Sequence, residues 1–427
     1  MSMISTKKEF NIKKTLVIFT KKYPYDSGEE FIDNEIAIDA EAFDKVLIVS
    51  TALDNKSIIS RNIPKNVKVI GIKDIQNSYL RYFKYICYGC SFLLIDPSLQ
   101  HRIYKAQNLR EKLATLYIFG RAIRNKKKIE KINEIQESLH GTSILYSYWC
   151  TDLALTVAFF KEEYKDMGVL RAVSRAHGYD LYEDRNIAKR IPFRDYVFQR
   201  LDAIFPCSED GTNYLREKYP EVNKKICTSY LGTKRPTIKY AKKTEKKSFR
   251  VVTCSRIVPG KRVDLVAKAL KHLEEKKIWD IEWICIGDGP LLEDIKCYVG
   301  NNLKINQAVF LGQMNNEEVL KYYENNNIDL FINVSTAEGL PVSIMEAISF
   351  GIPILATDVG GVREIVRSRE IGLLMNADID AIKLGNYILA MKGRVFERNK
   401  IIEFWNDNFC ADKNYNEFTK QLLTMIE

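Results

Sequence analysis

The chain has 427 residues, of which 46% are hydrophobic and 28% charged, and its 65 Lys and Arg against 55 Asp and Glu give a formal charge of +10. This length suggests two or three domains with their own cores, in an ordinary soluble globular protein. With 21 Gly and 11 Pro, the chain is neither collagen-like nor of low complexity. The mild positive charge fits attraction to anionic ligands or to a membrane surface and identifies neither.

Cysteine usage and the absence of long apolar segments indicate the compartment. Nine cysteines are spread through the chain, mostly inside apolar runs such as Ile284–Ile286, which predicts reduced core thiols rather than a disulfide framework. Residues 1–14 lack the apolar segment of a secretory signal. The best candidate for a membrane span, Tyr85–Ile95, is far shorter than the roughly 20 residues that a spanning helix needs. We therefore expect a cytoplasmic protein.

Short apolar runs alternate with longer helical stretches along the whole chain. The predicted strands are Leu16–Phe19, Val46–Ser50, Val67–Ile70, Ile144–Tyr148, Ala203–Pro206, Arg250–Cys254, Ile281–Ile286, Val309–Leu311, Leu330–Val334 and Ile354–Thr357. Most of these runs are continuously apolar, which is typical of strands buried on both faces. Helical segments such as Arg262–Lys276 and Glu317–Asn325 lie between them. The pattern predicts an α/β fold with parallel sheets and right-handed crossovers.

A polar, basic segment separates two halves of similar size. Lys234–Lys247 carries seven basic residues and one acid, so it cannot bury enough apolar surface to form a core. We interpret it as a linker, with a phosphate- or lipid-binding patch as the alternative. The predicted division is an N-terminal domain at 1–233, the linker at 234–248, a C-terminal domain at 249–394 and C-terminal helices at 395–427, with a cleft implied between the halves.

The N-terminal half contains a stretch that is both aromatic and close to basic residues. Tyr79–Ile95 has six aromatic side chains, and Arg121–Lys128 downstream is strongly basic. Two interpretations remain open: a core helix beside a solvated basic face, or a docking site for an anionic bilayer surface. Cys87 and Cys90 lack a second Cys or His pair at zinc spacing, so they predict no metal or redox site.

The segment after the predicted strand Leu330–Val334 gives the strongest chemical signal. Gly339 permits a tight turn, Pro341 suits the first turn of a helix, and Gly351 suits its end. A strand–turn–helix arrangement presents unpaired backbone N–H groups and the positive end of the helix dipole at residues 339–343. This is the geometry of an anion site suited to a diphosphate.

Two carboxylates accompany this anion site. Glu338 precedes the helix and Glu346 lies within it. Since a carboxylate beside a diphosphate is unfavourable unless it binds something else, sugar hydroxyls are the natural partners of both side chains. The alternative is a helix-capping acid at Glu338 and a surface acid at Glu346.

Loops after the other strands of the second half carry complementary chemistry. Arg256 and Lys261 follow the first of these strands and could hold two phosphates, with a solvated basic loop as the alternative. The Gly-rich loop Gly287–Pro290 follows the next strand, and Gly312 to Met314 could cradle a base through backbone groups. Gly360 and Gly361 form a turn after the strand at Ile354–Thr357.

In this order and spacing, the residues from Arg250 to Leu374 resemble the retaining, family-four glycosyltransferases of GT-B architecture, similar to bacterial exopolysaccharide, capsule and O-antigen sugar transferases. The resemblance implies two Rossmann-like domains facing across a cleft, an N-terminal one for the acceptor and a C-terminal one for the nucleotide sugar. It also implies C-terminal helices that cross back onto the N-terminal domain.

The resemblance also implies roles for the residues of the second half. Arg256 and Lys261 would hold the donor diphosphate, Glu338 the donor sugar, and Glu346 the ribose. The backbone N–H groups expected to cap the phosphates belong to Gly339, Leu340 and Val342. Gly312 and Met314 would lie at the base.

The N-terminal half resembles the acceptor domain more loosely. Residues 23–36 look like the opening loop of the polysaccharide transferases, with Gly28 and Glu29 where many relatives have two glycines. These two residues are expected on the acceptor side. His177 matches the active-site histidine of the family, expected to touch the donor sugar. We therefore predict His177 and Glu338 as the catalytic residues.

The implied reaction transfers a sugar from a nucleotide-diphosphate sugar to an acceptor hydroxyl with retention at the anomeric carbon. No metal or other cofactor is expected, because the four histidines show no ligand-type spacing. The expected acceptor is a glycan, lipid-linked, at the inner face of the plasma membrane. The alternatives are a sugar-nucleotide epimerase of the same architecture, an inactive nucleotide-sugar-binding protein, and a nucleic-acid-binding protein, for which no base-reading module is visible.

Overall fold

The computed structural model describes residues 13–26, 28–186, 188–235, 248–304 and 307–427. The predicted linker, 234–248, falls mostly on residues 236–247, which lie outside the described residues. The chain divides into two compact units. Unit 1 comprises residues up to Pro206 together with Thr212–Ser229 and Tyr415–Glu427, and unit 2 comprises Cys207–Gly211 and Tyr230–Asn414. This division differs from the predicted boundary at 233/234, because residues 207–211 and 230–233 group with unit 2.

Unit 1 is built on a sheet of six parallel strands. They are β1 (Lys14–Thr20), β2 (Lys45–Leu53), β3 (Val67–Lys73), β4 (Thr142–Ser147), β5 (Val169–Ala176) and β6 (Ala203–Pro206). The strand order is β3-β2-β1-β4-β5-β6. All five strands predicted here are present. β5 was not predicted, because Arg171 and Arg175 interrupt its apolar pattern.

Helices cover the strands of unit 1. Those between residues 32 and 218 are α1 (Ile32–Ala42), α2 (Ser78–Cys90), α3 (Pro97–Lys105), α4 (Leu109–Ile129), α5 (Asn133–Leu139), α6 (Asp152–Tyr164), α7 (Arg194–Arg200) and α8 (Glu209–Lys218). The strands between them are buried on both faces: β4, for example, has no exposed residue. This explains why their sequences are continuously apolar.

The C-terminal residues of unit 1 pack around a buried cation. Arg175 is fully buried, its Nε lies 3.6 Å from a Glu35 carboxylate oxygen, and its guanidinium carbon lies 4.0 Å from the centre of the Phe418 ring. Thr419 donates a hydrogen bond to buried Asp39 (2.7 Å). Burial raises the pKa of Asp39 well above its usual range. The end of the chain therefore contributes to the unit 1 core.

Unit 2 repeats the same architecture. Its six parallel strands are β7 (Phe249–Cys254), β8 (Ile281–Ile286), β9 (Gln307–Gly312), β10 (Leu330–Asn333), β11 (Ile354–Thr357) and β12 (Gly372–Met375). They are arranged β12-β11-β10-β7-β8-β9. Its helices are α9 (Val263–Glu275), α10 (Leu292–Asn302), α11 (Asn316–Asn325), α12 (Val342–Ser349), α13 (Val362–Ile365), α14 (Ala381–Lys392), α15 (Arg398–Asn408) and α16 (Ala411–Thr424), the last continuing into unit 1. Only β12 was missed from the sequence.

Both sheets have the doubly wound strand order of dinucleotide-binding folds, in which the chain reverses direction across the sheet after the third strand. The reversal point lies between β1 and β4 in unit 1 and between β7 and β10 in unit 2. Helices on opposite faces diverge there, so the loops at the carboxyl ends of these strands border a crevice. The sequence places Arg256 and Lys261 after β7 and Glu338 after β10, on both sides of the unit 2 crevice.

The aromatic stretch of unit 1 packs against the core on one face and is exposed on the other. α2 buries only Tyr85 and Gly89, and the side chains of Tyr79 and Phe83 are 87% and 65% exposed. The core-helix interpretation of Tyr79–Ile95 therefore holds only for the face that packs against the unit 1 core through residues such as Ile86 and Phe92. Among the helices of the described residues, none is both long and apolar enough to cross a membrane.

Candidate functional site at the carboxyl edge of the unit 2 sheet

The loops at the carboxyl ends of β7, β8 and β9 are joined by backbone hydrogen bonds. Ser255 N–H donates to the carbonyl of Ile286 (3.1 Å), Ile257 N–H to that of Asp288 (2.8 Å), and Gly287 N–H to that of Gly312 (2.8 Å). These bonds extend the pairing of the sheet into its loops. The loop of Arg256 and Lys261 is thus held by the Gly-rich loop beside it.

Gly287 is required for this close approach. Its φ is +130°, and a Cβ atom there would lie 1.9 Å from the carbonyl oxygen of Ser255. A side chain would clash with backbone that cannot move without breaking the paired loops. The Gly-rich loop therefore brings two strand ends together.

Lys261 and Glu338 meet across the reversal point of the sheet. Lys261 Nζ donates to Glu338 Oε1 at 2.6 Å, and Asn333 Nδ2, at the end of β10, donates to the same oxygen at 3.2 Å. Glu338 is 9% exposed, whereas 29% of the Lys261 side chain remains accessible. Thr336 N–H also donates to the carbonyl of Gly260 (2.8 Å), which ties the two loops together. The structure thus brings together two residues that are 77 positions apart.

The alternative interpretations of the two acids are wrong. The residue that precedes the first turn of α12 is Pro341, with no side-chain cap, so Glu338 does not cap this helix. Glu346 is 8% exposed and accepts a hydrogen bond from Asn316 Nδ2, so it is not a surface acid. Burial raises the pKa of Glu346 to about 7, and the Asn316 hydrogen bond opposes that rise only in part.

Arg256 lies on the same loop as Lys261 and points to solvent. Its side chain is exposed and forms no ion pair within the part of the chain that the structure describes. An exposed arginine five positions before Lys261 leaves a second cation at this edge available to an anion.

The first turn of α12 borders the same edge. Val342 is half-buried and begins the helix, and the N–H groups of a first turn have no partner within the helix. Gly361 N–H donates a hydrogen bond to the carbonyl oxygen of Gly339 (2.8 Å), so the predicted glycine turn holds the loop before α12. Leu340, by contrast, buries its side chain in the core.

The predicted base-binding residues lie at the end of β9. Gly312 has a φ of +70° and open space where a Cβ would point. Met314 is half-buried against the unit 2 core. Asn316 follows two positions later and reaches Glu346, so this loop and α12 are in contact.

His177 lies in unit 1, at the end of β5. Its ring stacks against Tyr148 and Trp149, with 4.8 Å between the ring centres in each case, and Nδ1 lies 3.5 Å from Asp180 Oδ2. Asp180 also accepts hydrogen bonds from the backbone N–H of His177 (2.9 Å) and Cys150 (3.0 Å). Burial favours a higher pKa for Asp180, but these hydrogen bonds and the His177 charge lower it below its usual value. Asp180 therefore orients the histidine.

Gly28 and Glu29 lie in the loop after β1. Gly28 has a φ of +104° and is exposed, whereas Glu29 is 7% exposed. The Glu29 carboxylate accepts hydrogen bonds from the backbone N–H groups of Lys21 (2.9 Å), Lys22 (2.7 Å) and Tyr23 (2.7 Å) and from Trp149 Nε1. These hydrogen bonds to Glu29 stabilise the conformation of the loop after β1.

Sequence reasoning missed the residues that position the predicted ones. Asn333 and Asn316 hold the two glutamates of unit 2, and Asp180 holds His177. Asp180 could have been found from its spacing, three residues after the histidine. The asparagines carry no such signal, because loops of this kind are commonly rich in asparagine. Within the described ranges, no group of three or more His, Cys, Asp or Glu residues is placed to hold a metal ion.

Comparison with known proteins identifies this architecture. Residues 234–403 match the family model described as glycosyl transferases group 1. The O-antigen biosynthesis glycosyltransferase WbnH of Escherichia coli is 31% identical over 134 residues, which are 31% of this chain and 35% of that protein. A second Escherichia coli protein, UDP-Gal:alpha-D-GlcNAc-diphosphoundecaprenol alpha-1,3-galactosyltransferase, is 28% identical over 178 residues, 41% of this chain and 43% of that one. The chain thus spans less than half the length of either relative.

The solved structures extend the likeness to the whole chain. The crystal structure of HepE from Anabaena in complex with UDP covers 96% of this chain and 100% of its own, with a TM-score of 0.62 and 14% identity. The match includes both units and both six-stranded parallel sheets. This chain therefore has the GT-B fold, and its residues 234–403 are similar to the glycosyl transferases group 1 family.

Proposed function

We propose that the protein is a retaining glycosyltransferase that moves a sugar from a nucleotide-diphosphate sugar to a hydroxyl of a glycan acceptor in cell-surface polysaccharide biosynthesis. The observation that carries the proposal is the Lys261–Glu338 pair, which lies at the reversal point of the unit 2 sheet beside the first turn of α12. Open α/β sheets bind ligands at this point. The family match to residues 234–403 supports the same domain as the donor site.

The cations at this edge suit a diphosphate. Lys261 already holds one carboxylate, and a diphosphate would add acceptors for its remaining ammonium protons and for the exposed guanidinium of Arg256. The N–H groups in the first turn of α12 would add the positive end of a helix dipole. HepE, which shares the fold, was crystallised with UDP.

The two glutamates would bind hydroxyl groups rather than phosphate. Glu338 accepts hydrogen bonds from Lys261 and Asn333, and an ionised carboxylate is an acceptor only, which suits the hydroxyl groups of a sugar. We assign it to the donor sugar. Glu346, held by Asn316 next to the β9 loop, we assign to the ribose, with the base against Gly312 and Met314.

The chemistry follows from these positions. The bond between the anomeric carbon and the diphosphate oxygen breaks, and a bond to the acceptor oxygen forms on the same face of the sugar. The acceptor proton passes to the departing diphosphate oxygen. Lys261, Arg256 and the start of α12 would stabilise the charge that develops on the diphosphate, without a metal ion. His177, oriented by Asp180, would contact the donor sugar from unit 1.

The acceptor and the location are parts of the same proposal. We propose a lipid-linked glycan acceptor presented at the cytoplasmic face of a membrane, with the protein bound peripherally. The exposed aromatic residues of α2 support this assignment. So does the relative whose name includes a diphosphoundecaprenol acceptor.

Nucleotide binding tests the donor site. We would follow thermal unfolding with UDP-, GDP-, ADP- and CMP-sugars in the presence of EDTA, since a ligand at about 100 times its Kd stabilises the native state by about 2.7 kcal/mol. We expect one nucleotide to raise Tm in the wild type and to have little effect in Arg256→Ala or Lys261→Ala. Equal shifts in the wild type and both variants, or no shift with any nucleotide, would contradict the proposed site.

A further inference from the structure

A second cationic pocket lies in unit 1, at the carboxyl end of β3. It has a volume of about 670 Å³ and is open to solvent. Its charged lining residues come from three elements: Lys73 and Asp74 from the end of β3, Lys84 from α2, and Arg124 and Lys128 from α4. Four cations therefore face one carboxylate. The proposed donor site in unit 2 uses none of these residues.

The single acid of this pocket does not neutralise it. The Asp74 side chain is 1% exposed, and its Oδ1 accepts hydrogen bonds from Tyr85 and from the N–H of Ile75 (2.7 Å). Its distances to Arg121 and Arg124 are 4.0 Å and 3.9 Å. Asp74 is thus buried beneath the pocket and shared between two arginines.

Two cations of the pocket share one backbone acceptor, and Arg124 also donates to the carbonyl of Thr51 (3.3 Å) and to Asn125 Oδ1 (2.8 Å). Arg124 and Lys128 both donate to the same carbonyl oxygen, that of Lys73, the latter at 3.3 Å. Burial and the neighbouring Arg124 charge lower the pKa of Lys128. Lys128 also lies in the last turn of α4, where a helix end attracts cations. That explanation does not extend to Lys73 and Lys84, which belong to other elements.

The same face of α2 exposes apolar side chains beside the cations. Leu80, Lys84 and Tyr88 follow one another at intervals of four, so they lie on one side of the helix. Leu80 is 47% exposed, and Tyr88 lines the pocket. A ligand bound here would therefore meet positive charge and apolar surface together.

We propose that this pocket binds a phosphate group carried by an amphiphilic molecule, with Lys73, Lys84, Arg124 and Lys128 as its cationic partners. A phosphate supplies several acceptor oxygens that can be shared among cations from three different elements. If the proposed function holds, this ligand is the phosphate-bearing anchor of the acceptor, because the pocket opens at the carboxyl edge of the acceptor-domain sheet. That assignment of the ligand rests on the proposed function, whereas the phosphate site does not.

Cys87 provides a local readout of occupancy. Its thiol is exposed and lines the pocket, whereas the exposed Cys297 lies in unit 2. We would measure the rate at which a thiol reagent labels each cysteine of the full-length protein, by peptide mass spectrometry. The probes are inorganic pyrophosphate, vesicles of phosphatidylcholine, and vesicles of phosphatidylcholine with phosphatidic acid.

We expect labelling of Cys87, but not of Cys297, to slow about tenfold at a probe concentration about ten times its dissociation constant. Protection by pyrophosphate alone would show that the phosphate group suffices. Protection only by vesicles with phosphatidic acid would show that the apolar part is needed as well, and both results support the proposal. An unchanged Cys87 rate with every phosphate probe would overturn it.

Matched variants distinguish phosphate binding in the pocket from a general electrostatic attraction of phosphate to basic residues. Lys84→Gln with Lys128→Gln should abolish the protection of Cys87. Lys105→Gln with Lys112→Gln removes the same charge from exposed lysines outside the pocket and should preserve it. Lys112 is 16 residues from Lys128 on α4, about 24 Å along the helix. Equal loss in both double variants, or persistent protection in the first, would overturn the proposal.

The proposal for the donor site and the proposal for this pocket can be rejected independently of each other. In Arg256→Ala with Lys261→Ala, pyrophosphate should still protect Cys87, because both substitutions are in unit 2. Protection of Cys87 combined with no nucleotide effect on Tm would reject the proposed function and leave the phosphate pocket standing.

Discussion

The two units have the same strand order but use the carboxylate at the reversal point in different ways. In unit 1, Glu29 accepts three backbone N–H groups and the Trp149 indole N–H, so its oxygens hold the loop after β1 in shape and tie it to the loop after β4. In unit 2, Glu338 pairs with Lys261, a cation whose side chain is still 29% accessible.

This difference shows that topology provides the crevice and that side chains decide its use. Both crevices follow from the strand order β3-β2-β1-β4-β5-β6 and its repeat in unit 2. In unit 1 the carboxylate is a structural part of the loop. In unit 2 backbone pairing around Gly287 holds the loops, and the Lys261–Glu338 pair lies between them at the crevice.

The largest expected effect tests whether Gly287 is required for the close approach of the loops at the carboxyl edge of the unit 2 sheet. Gly287→Ala should destabilise the protein by about 4 kcal/mol, since the new Cβ would lie 1.9 Å from a backbone oxygen and φ is +130°. Gly300→Ala, in α10 with open space around the Cβ position, should stabilise it by about 0.5–1 kcal/mol. Urea unfolding measures both. Similar values for the two variants would contradict the role given to Gly287.

The second effect concerns the buried carboxylate of α12. The pKa of Glu346 is raised from an ordinary 4.5 to about 7, so the folded protein holds this proton more tightly than the unfolded chain does. The resulting stability is fully present below pH 4.5 and is lost as pH rises to about 7, by about 3 kcal/mol. Glu346→Gln removes this titration, so the stability difference between wild type and variant should change over this range. Parallel pH profiles of the two proteins would contradict the assigned pKa.

The third prediction compares two lysines of unit 2. Lys261→Ala should weaken binding of the preferred nucleotide about a hundredfold, about 2.7 kcal/mol, because a charge-assisted contact is lost. Lys268→Ala removes an exposed lysine that pairs with Asp264 on α9 and should change the Kd by less than about twofold. Isothermal titration calorimetry gives both values, and equal weakening would show that general charge, not the Lys261 position, controls binding.

The smallest effect tests the carboxylate of unit 1. Glu29→Gln should destabilise the protein by about 2 kcal/mol, because an amide replaces one accepting oxygen with a donor that faces backbone N–H groups. Glu41→Gln, on the exposed surface of α1, is the matched control and should stay within about 0.5 kcal/mol. If Glu29→Gln also left stability unchanged, the loop would not depend on this carboxylate.

Most strands could be predicted from sequence because strands buried on both faces are continuously apolar. β5, one of the two strands that were missed, shows the limit: Arg171 and Arg175 break its apolar pattern, although Arg175 is buried beside Glu35 and Phe418. Glu338, Lys261 and Glu346 could be singled out because strand-end loops and a helix start have recognisable sequences. Their partners Asn333 and Asn316 could not, since contacts between distant loops depend on the packed sheet.

Hydrogen exchange with and without saturating nucleotide tests the central claim most directly, because it shows which crevice a nucleotide occupies. The nucleotide used is the one that raises Tm most. We expect slower exchange in residues 255–261 and 335–343 of unit 2, and unchanged exchange in residues 21–26 of unit 1. Protection of the unit 1 loop without protection of the unit 2 loops would contradict the assignment of the donor site.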